Sequence, residues 1–354
     1  MRRALLLLSL VCAGCPSGAG RGAHGPGAGA GDDADDAVTS GGDETAKKKV
    51  DEEREEASGE SVVTDAPLGT KALPAPDASR VADIEGSDTE RRAAVAPRVA
   101  AARAALDAGD LERAIAGALS ALSIDAGDAD AAEVLAEAYY RKGWTGKAER
   151  ILEVATAGAA GKRDARLWML RGLVLERTGA PLPQVAAAYS RATVLKPNYA
   201  RAWNNLGVIQ LRQGQTGDAI SALETATSID AGSASALINL GSAYRRHAAD
   251  GGLRHSQRDE LLRKAERSYR AAIAVDEDAI AAYLDLGVLY LDAQPFPGLA
   301  DDARLQAALR YLREYKQRGG HANGADGAPI DVDEYLGAAQ RQLDALGRSR
   351  KRGG

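Results

Sequence analysis

Two asparagines, Asn205 and Asn239, stand 34 residues apart, and each directly precedes a Leu-Gly pair. An asparagine amide donates and accepts a hydrogen bond at once, so two amides at equivalent places on neighbouring elements can hold an extended peptide backbone. Asp285, before Leu286-Gly287, takes the corresponding place once more and would be a third rung. Arg201, Arg245 and Arg246 lie close by in sequence. Their guanidinium groups suit acidic side chains or a C-terminal carboxylate. Each residue also has a plainer reading: the asparagines as caps on neighbouring backbone groups, the arginines as solvated charges on a helix surface.

Other chemistry is poorly provided for. Both cysteines, Cys12 and Cys15, fall in the first fifteen residues, which leaves the rest of the chain without a disulfide, a thiolate nucleophile or a thiolate metal site. His24, His247, His255 and His321 show no metal-ligand spacing, and no glycine-rich phosphate loop or nucleophile-base pairing is evident. No catalytic residue, metal ligand or cofactor site is expected. The net charge of −5 argues against a nucleic-acid binder driven by phosphate contacts.

The elements that carry the asparagines are best defined at residues 200–233. Trp203, Leu206 and Gly207 open one amphipathic helix, Ala219, Leu223 and Ala226 line a second, and Gly214 lies between them. One Phe, two Met and an aromatic share of 4% suit helices packed through small side chains better than a sheet core. The spacing resembles the 34-residue tetratricopeptide (TPR) repeat, W-x2-L-G-x2-Y followed by A-x3-F, with Gln210 in place of the Tyr and Leu223 in place of the Phe. A single helix pair of this kind cannot bury both its faces, so more copies are expected.

Counting by the period finds them near residues 95–128, 129–164, 165–199, 200–233, 234–279 and 280–322. Leu135, Ala136, Ala148 and Leu152 mark the second copy, and Trp168, Gly172, Tyr189 and Ala192 the third. Leu240, Gly241 and Tyr269 mark the fifth; Leu286, Gly287 and Leu312 mark the sixth. The first copy is degenerate, with Arg98, Ala101 and Ala102 where large apolar residues belong, as in a cap. The second helix of the fifth copy is predicted to be lengthened at its beginning, around Ser256-Gln257-Arg258-Asp259, and a Pro295-Phe296-Pro297-Gly298 loop delays that of the sixth. An apolar stripe from Val332 to Leu346 predicts a capping helix over 331–347, with the basic residues of 348–352 as a solvated tail. The fold class is therefore all-α: a TPR solenoid over residues 90–348.

The chain begins with a basic Arg2-Arg3 pair and an apolar run, Ala4 to Val11, too short to span a bilayer. Residues 1–14 read as a signal peptide, and the small residues before Cys15 resemble a bacterial lipobox. The resemblance implies cleavage before Cys15 and acylation of that residue, with Pro16 after it implying an outer-membrane lipoprotein whose folded part is periplasmic. Residues 15–89 are Gly, Ala, Ser and Pro mixed with acid, and such a segment cannot bury enough surface to offset its conformational entropy. It reads as a disordered tether with a mean reach of about 45 to 50 Å.

In the TPR family the first helices of successive pairs line a concave face on which partner peptides lie, and asparagine ladders hold extended peptides in some members. The resemblance thus implies a lipid-anchored scaffold or adaptor that binds a protein or peptide segment in its groove, within an envelope machine such as that of gliding motility. A pilotin-like assembly factor for a type IV pilus or secretion secretin is the alternative; an envelope-glycan binder or an enzyme fits less well. Glu133, Glu137 and Asp130 would make the second repeat acidic, polarising the groove. Cys15→Ser should leave the chain without a membrane anchor, and metabolic labelling with a radioactive fatty acid should mark the wild type and not the variant. An unlabelled wild type would refute the lipoprotein reading.

Overall fold

A computed structural model describes residues 88–320 and 330–353. The signal peptide, Cys15 and the tether up to residue 87 lie outside the described residues. Thirteen α-helices and one short 3-10 turn make up the described part, with no strand among the described residues. They form six antiparallel pairs: α1 (Asp88–Asp107) with α2 (Leu111–Leu122), α3 (Ala129–Arg141) with α4 (Thr145–Ala157), and α5 (Ala165–Arg177) with α6 (Leu182–Leu195). Then come α7 (Ala200–Arg212) with α8 (Thr216–Ile229), α9 (Ala234–Ala248) with α10 (His255–Val275), and α11 (Ile280–Asp292) with α12 (Asp301–Gln317). A last helix, α13 (Val332–Gly353), packs on α12 and α11. The first helices also touch one another across pairs: α1 on α3, α3 on α5, α7 on α9, and α9 on α11.

Each pair closes on a point where one helix has almost no side chain. A Cβ on Gly207 would sit 2.6 Å from Leu223 Cγ and 3.2 Å from the Ala219 carbonyl oxygen. The same applies to Gly241 against the Tyr269 ring and Gly287 against Leu312 Cγ, both at 2.6 Å, while Gly172 meets Tyr189. In the second pair Ala136 takes the glycine's place, buried with Leu152. The degenerate first pair reverses the arrangement: Gly117 of the second helix faces Ala102 of the first, 2.9 Å from where its Cβ would be. Ala102 stands one period before Ala136, at the glycine's place, and a glycine on the partner helix makes the room for its methyl group.

The turns within pairs need a left-handed residue. Gly214, at φ +79°, ends α7, and the following Gln215 N–H donates back to the Gln210 carbonyl. This is the glycine-terminated helix end that a side chain would strain. Between pairs, aspartates fold the chain instead. Asp125, Asp230 and Asp276 each accept, through Oδ1, the backbone N–H two residues on, at 2.9 to 3.0 Å. Asp128, Asp164 and Ser233 then cap the next first helix.

The lengthened second helix of the fifth pair starts at His255, where the Arg254 N–H donates to the Gln257 side chain. The array itself begins at Asp88, inside the segment expected to be tether. The capping helix also runs further than expected: Arg348, Ser349 and Arg350 continue α13, and Arg350 reaches Asp302 at 3.0 Å, so they are an exposed helix end and not a free tail. Helix propensity and packing of Tyr335, Leu336, Leu343 and Leu346 carry the helix through the basic stretch.

Gly207→Leu should destabilise the array by about 1 to 3 kcal/mol or more, because it forces a large side chain into a helix contact with no room to yield. Urea unfolding followed by circular dichroism measures this, with the exposed Gly217→Ala as the neutral control.

Candidate functional site

The first helices α7, α9 and α11 bring the predicted ladder residues together and hide them. Asn205 is 1% exposed, Asn239 0% and Asp285 2%. Their side chains are engaged with one another and with a residue that sequence reasoning passed over. Asn239 Nδ2 donates to Asn204 Oδ1 at 3.0 Å, and Asn204 Nδ2 donates to Asn205 Oδ1 at 3.2 Å. The expected ladder of exposed groove amides is therefore corrected to an internal amide chain that links α9 to α7. Asn205 Nδ2 ends this chain without a hydrogen-bond partner. The physical reason is the length of the side chain: an asparagine facing a small-residue helix contact is too short to clear the neighbouring helix.

Asp285 and Arg245 are likewise not open to a partner's charges in the expected way. Arg245 is 7% exposed and its Nη2 lies 3.6 Å from Asp285 Oδ1, an ion pair between neighbouring first helices. Beside it the Tyr269 hydroxyl shares a hydrogen bond with Ser242 Oγ at 3.1 Å. Burial, reinforced by the Asp285 carboxylate, pushes the Tyr269 phenol above its ordinary pKa, so it keeps its proton. Arg201 and Arg246 are on the outside, exposed and half-buried respectively.

The acidity expected of the second pair is also neutralised locally. Glu133 pairs with Arg103 at 2.7 Å and Arg166 at 3.1 Å, Asp130 pairs with Arg166 at 2.6 Å, and Glu137 pairs with Arg141. Arg166 comes from the next pair, so these contacts join repeats and do not leave a negative patch.

Sequence reasoning did not single out Arg304, near the start of α12. It is 0% exposed, and its Nη1 donates to the carbonyls of Tyr290 and Leu291 at the end of α11 while Nε faces Asp301 at 3.3 Å. A buried cation on a helix C-terminus meets carbonyls that have no partner within the helix. No group of His, Cys, Asp and Glu among the described residues is arranged to hold a metal ion.

With the pairs, the glycine contacts and the turns in view, comparison with known proteins agrees on the class. Residues 183–236 match the family described as tetratricopeptide repeat. The structure of pilF from Pseudomonas aeruginosa superposes with a TM-score of 0.52 at 18% identity, over 64% of this chain and 93% of that one. That of YrrB, described as a TPR protein with an unusual peptide-binding site, gives a TM-score of 0.42 at 25% identity, over 52% and 88%. The peroxisomal targeting signal receptor of Yarrowia lipolytica is 36% identical over 73 residues, which are 21% of this chain and 12% of that protein. The match falls on residues 183–236, and the helix pairs on either side of them repeat the same glycine contacts and glycine turns, so the fold of the array is TPR-like.

Asn239→Ala should lower stability by about 1 to 3 kcal/mol, since it leaves the buried Asn204 Oδ1 without its donor. An exposed groove residue would move the unfolding midpoint by about 0.5 kcal/mol or less. Chemical denaturation of the purified chain separates the two.

Proposed function

We propose that this protein is a lipid-anchored TPR scaffold that binds a partner protein along its first-helix face and acts in assembling an envelope machine. The observation that carries the binding part is that the first helices α7, α9 and α11 touch one another in turn and are joined by buried polar side chains, with Arg201 and Arg246 left on the outside. Asn204, Asn205, Asn239, Ser242, Arg245 and Asp285 all sit where apolar side chains would pack with less desolvation. Their bonds to one another set the register of the first-helix face, and a partner meets the exposed Arg201 and the half-buried Arg246, whose guanidinium groups suit acidic side chains or a C-terminal carboxylate.

Anchoring through Cys15, an outer-membrane location with the array in the periplasm, and a part in gliding motility are supported by the sequence resemblance alone. A pilotin-like factor for a type IV pilus or secretion secretin would use the same fold and anchor. In this reading the protein works by positioning its partner and performs no catalysis.

A photo-crosslinking residue placed at Arg246, on first helix α9, should capture a partner from native membranes. The same residue at Val154, 68% exposed on second helix α4, should not. Mass spectrometry of the adducts identifies the partner, and equal capture from both positions would remove the first-helix face as the binding surface.

A further inference from the structure

The charge of the array is concentrated in one band. Residues 154–217 hold nine Lys and Arg and only two acids, Asp164 and Glu176, although the whole chain is at −5. Both acids are already taken: Asp164 by Arg166 at 2.6 Å, and Glu176 by Arg212 at 2.8 Å. Among the others, Lys162, Arg163, Arg191 and Lys196 are exposed and make no ion pair among the described residues.

These four cluster at one edge. Lys162 and Arg163 form the 3-10 turn between α4 and α5, and Lys196 follows α6 in the next turn between pairs. Turns between successive antiparallel pairs fall at the same end of the helices. Arg191 Nη2, on the last turns of α6, donates to the Lys162 carbonyl at 3.4 Å, which sets Arg191 beside that turn, while the Lys196 ammonium lies over the Tyr199 ring. The same edge carries two half-buried indoles held in matching fashion. Trp168 Nε1 donates to the Lys162 carbonyl at 3.4 Å, and Trp203 Nε1 donates to the Pro197 carbonyl at 2.8 Å.

We infer that this edge, Lys162, Arg163, Arg191 and Lys196 flanked by Trp168 and Trp203, docks the array on an anionic phospholipid surface. The inference rests on the membrane anchoring proposed above, which brings a leaflet within reach. A flat array of headgroup phosphates suits cations that project from turns along an edge, where the one acid in the two turns, Asp164, is paired with Arg166. On the first-helix face, where a polypeptide would bind, Arg245 and Glu133 are instead paired with Asp285 and with Arg103 and Arg166. Basic clusters and indoles are the side chains that settle at the headgroup level. Acyl chains restrict the protein to the membrane but not its attitude; the basic edge brings the α4–α5 and α6–α7 turns to the lipid, with the flanking turns that carry Asp125, Asp230 and Asp276 held off it, and leaves the first-helix face accessible from the side.

The test uses chain 15–354 carrying Cys15→Ser, so that acylation plays no part, and vesicles of phosphatidylcholine with or without about 30% phosphatidylglycerol. Co-sedimentation should occur with the anionic vesicles only and be lost near 1 M salt, where the screening length is about 3 Å. Replacing Lys162, Arg163, Arg191 and Lys196 together by Gln should weaken binding about a hundredfold or more, with unchanged circular dichroism. Arg263→Gln with Arg313→Gln, on exposed positions elsewhere, should leave it intact. Equal binding to neutral vesicles, equal binding by the fourfold variant, or binding to polyglutamate or an oligonucleotide but to no vesicle would each overturn the assignment. Fatty-acid labelling of Cys15 is read independently, so loss of the anchor and loss of the lipid-docking edge cannot be confused.

Discussion

The array depends on one contact repeated along it: a helix backbone stripped of its side chain, against which the partner helix sets a Leu or Tyr. Gly207 with Leu223, Gly241 with Tyr269 and Gly287 with Leu312 are the same joint. Once two helices meet this closely, the apolar residues a turn away are forced together, and each pair presents its outer faces to the next. The helices therefore stack because a single pair leaves too much apolar surface uncovered. Where the joint is altered, as in the first pair, the alteration is mutual, with Gly117 supplying the space that the second helix must give up to Ala102.

That joint explains how much of the fold was legible. A period of glycines and small residues at fixed offsets is a local signal, and it identifies six pairs and the lengthened α10 from the chain alone. The turn chemistry between pairs was less visible. Asp125, Asp230 and Asp276 are not part of the repeat pattern, yet each folds its turn by accepting a backbone N–H. The end of α13 was missed because a basic stretch carries no apolar period, although its helical course needs only propensity and the packing that precedes it.

The candidate site was legible in position and not in state. Sequence spacing places Asn205, Asn239 and Asp285 on neighbouring first helices, and that placement is what the structure has. What spacing does not report is distance between helices, and here the helices lie close enough for the amides to bond internally and for Arg245 to pair with Asp285. Asn204, one residue from the pattern, is the middle of the chain, and no periodic signal marks it. Likewise the acids of the second pair lose their meaning once Arg103 and Arg166 arrive from neighbouring helices.

The apolar interior is unequally divided along the stack. From the end of α7 to α13 most buried side chains form one large cluster, running from Leu211 and Leu223 through Tyr269 and Tyr290 to Ala339, with a second around Tyr283, Leu312 and Tyr315. Toward the N-terminal end they fall into smaller, separate groups, such as the one around Val95, Ala121 and Ala131. A pull applied through the N-terminal end of the stack would meet its weakest cohesion first. The pairs nearest the point of traction can peel away singly, each lengthening the molecule and shedding force, while the C-terminal half stays whole. Under such a load the gradient would make the array yield by increments from its N-terminal end.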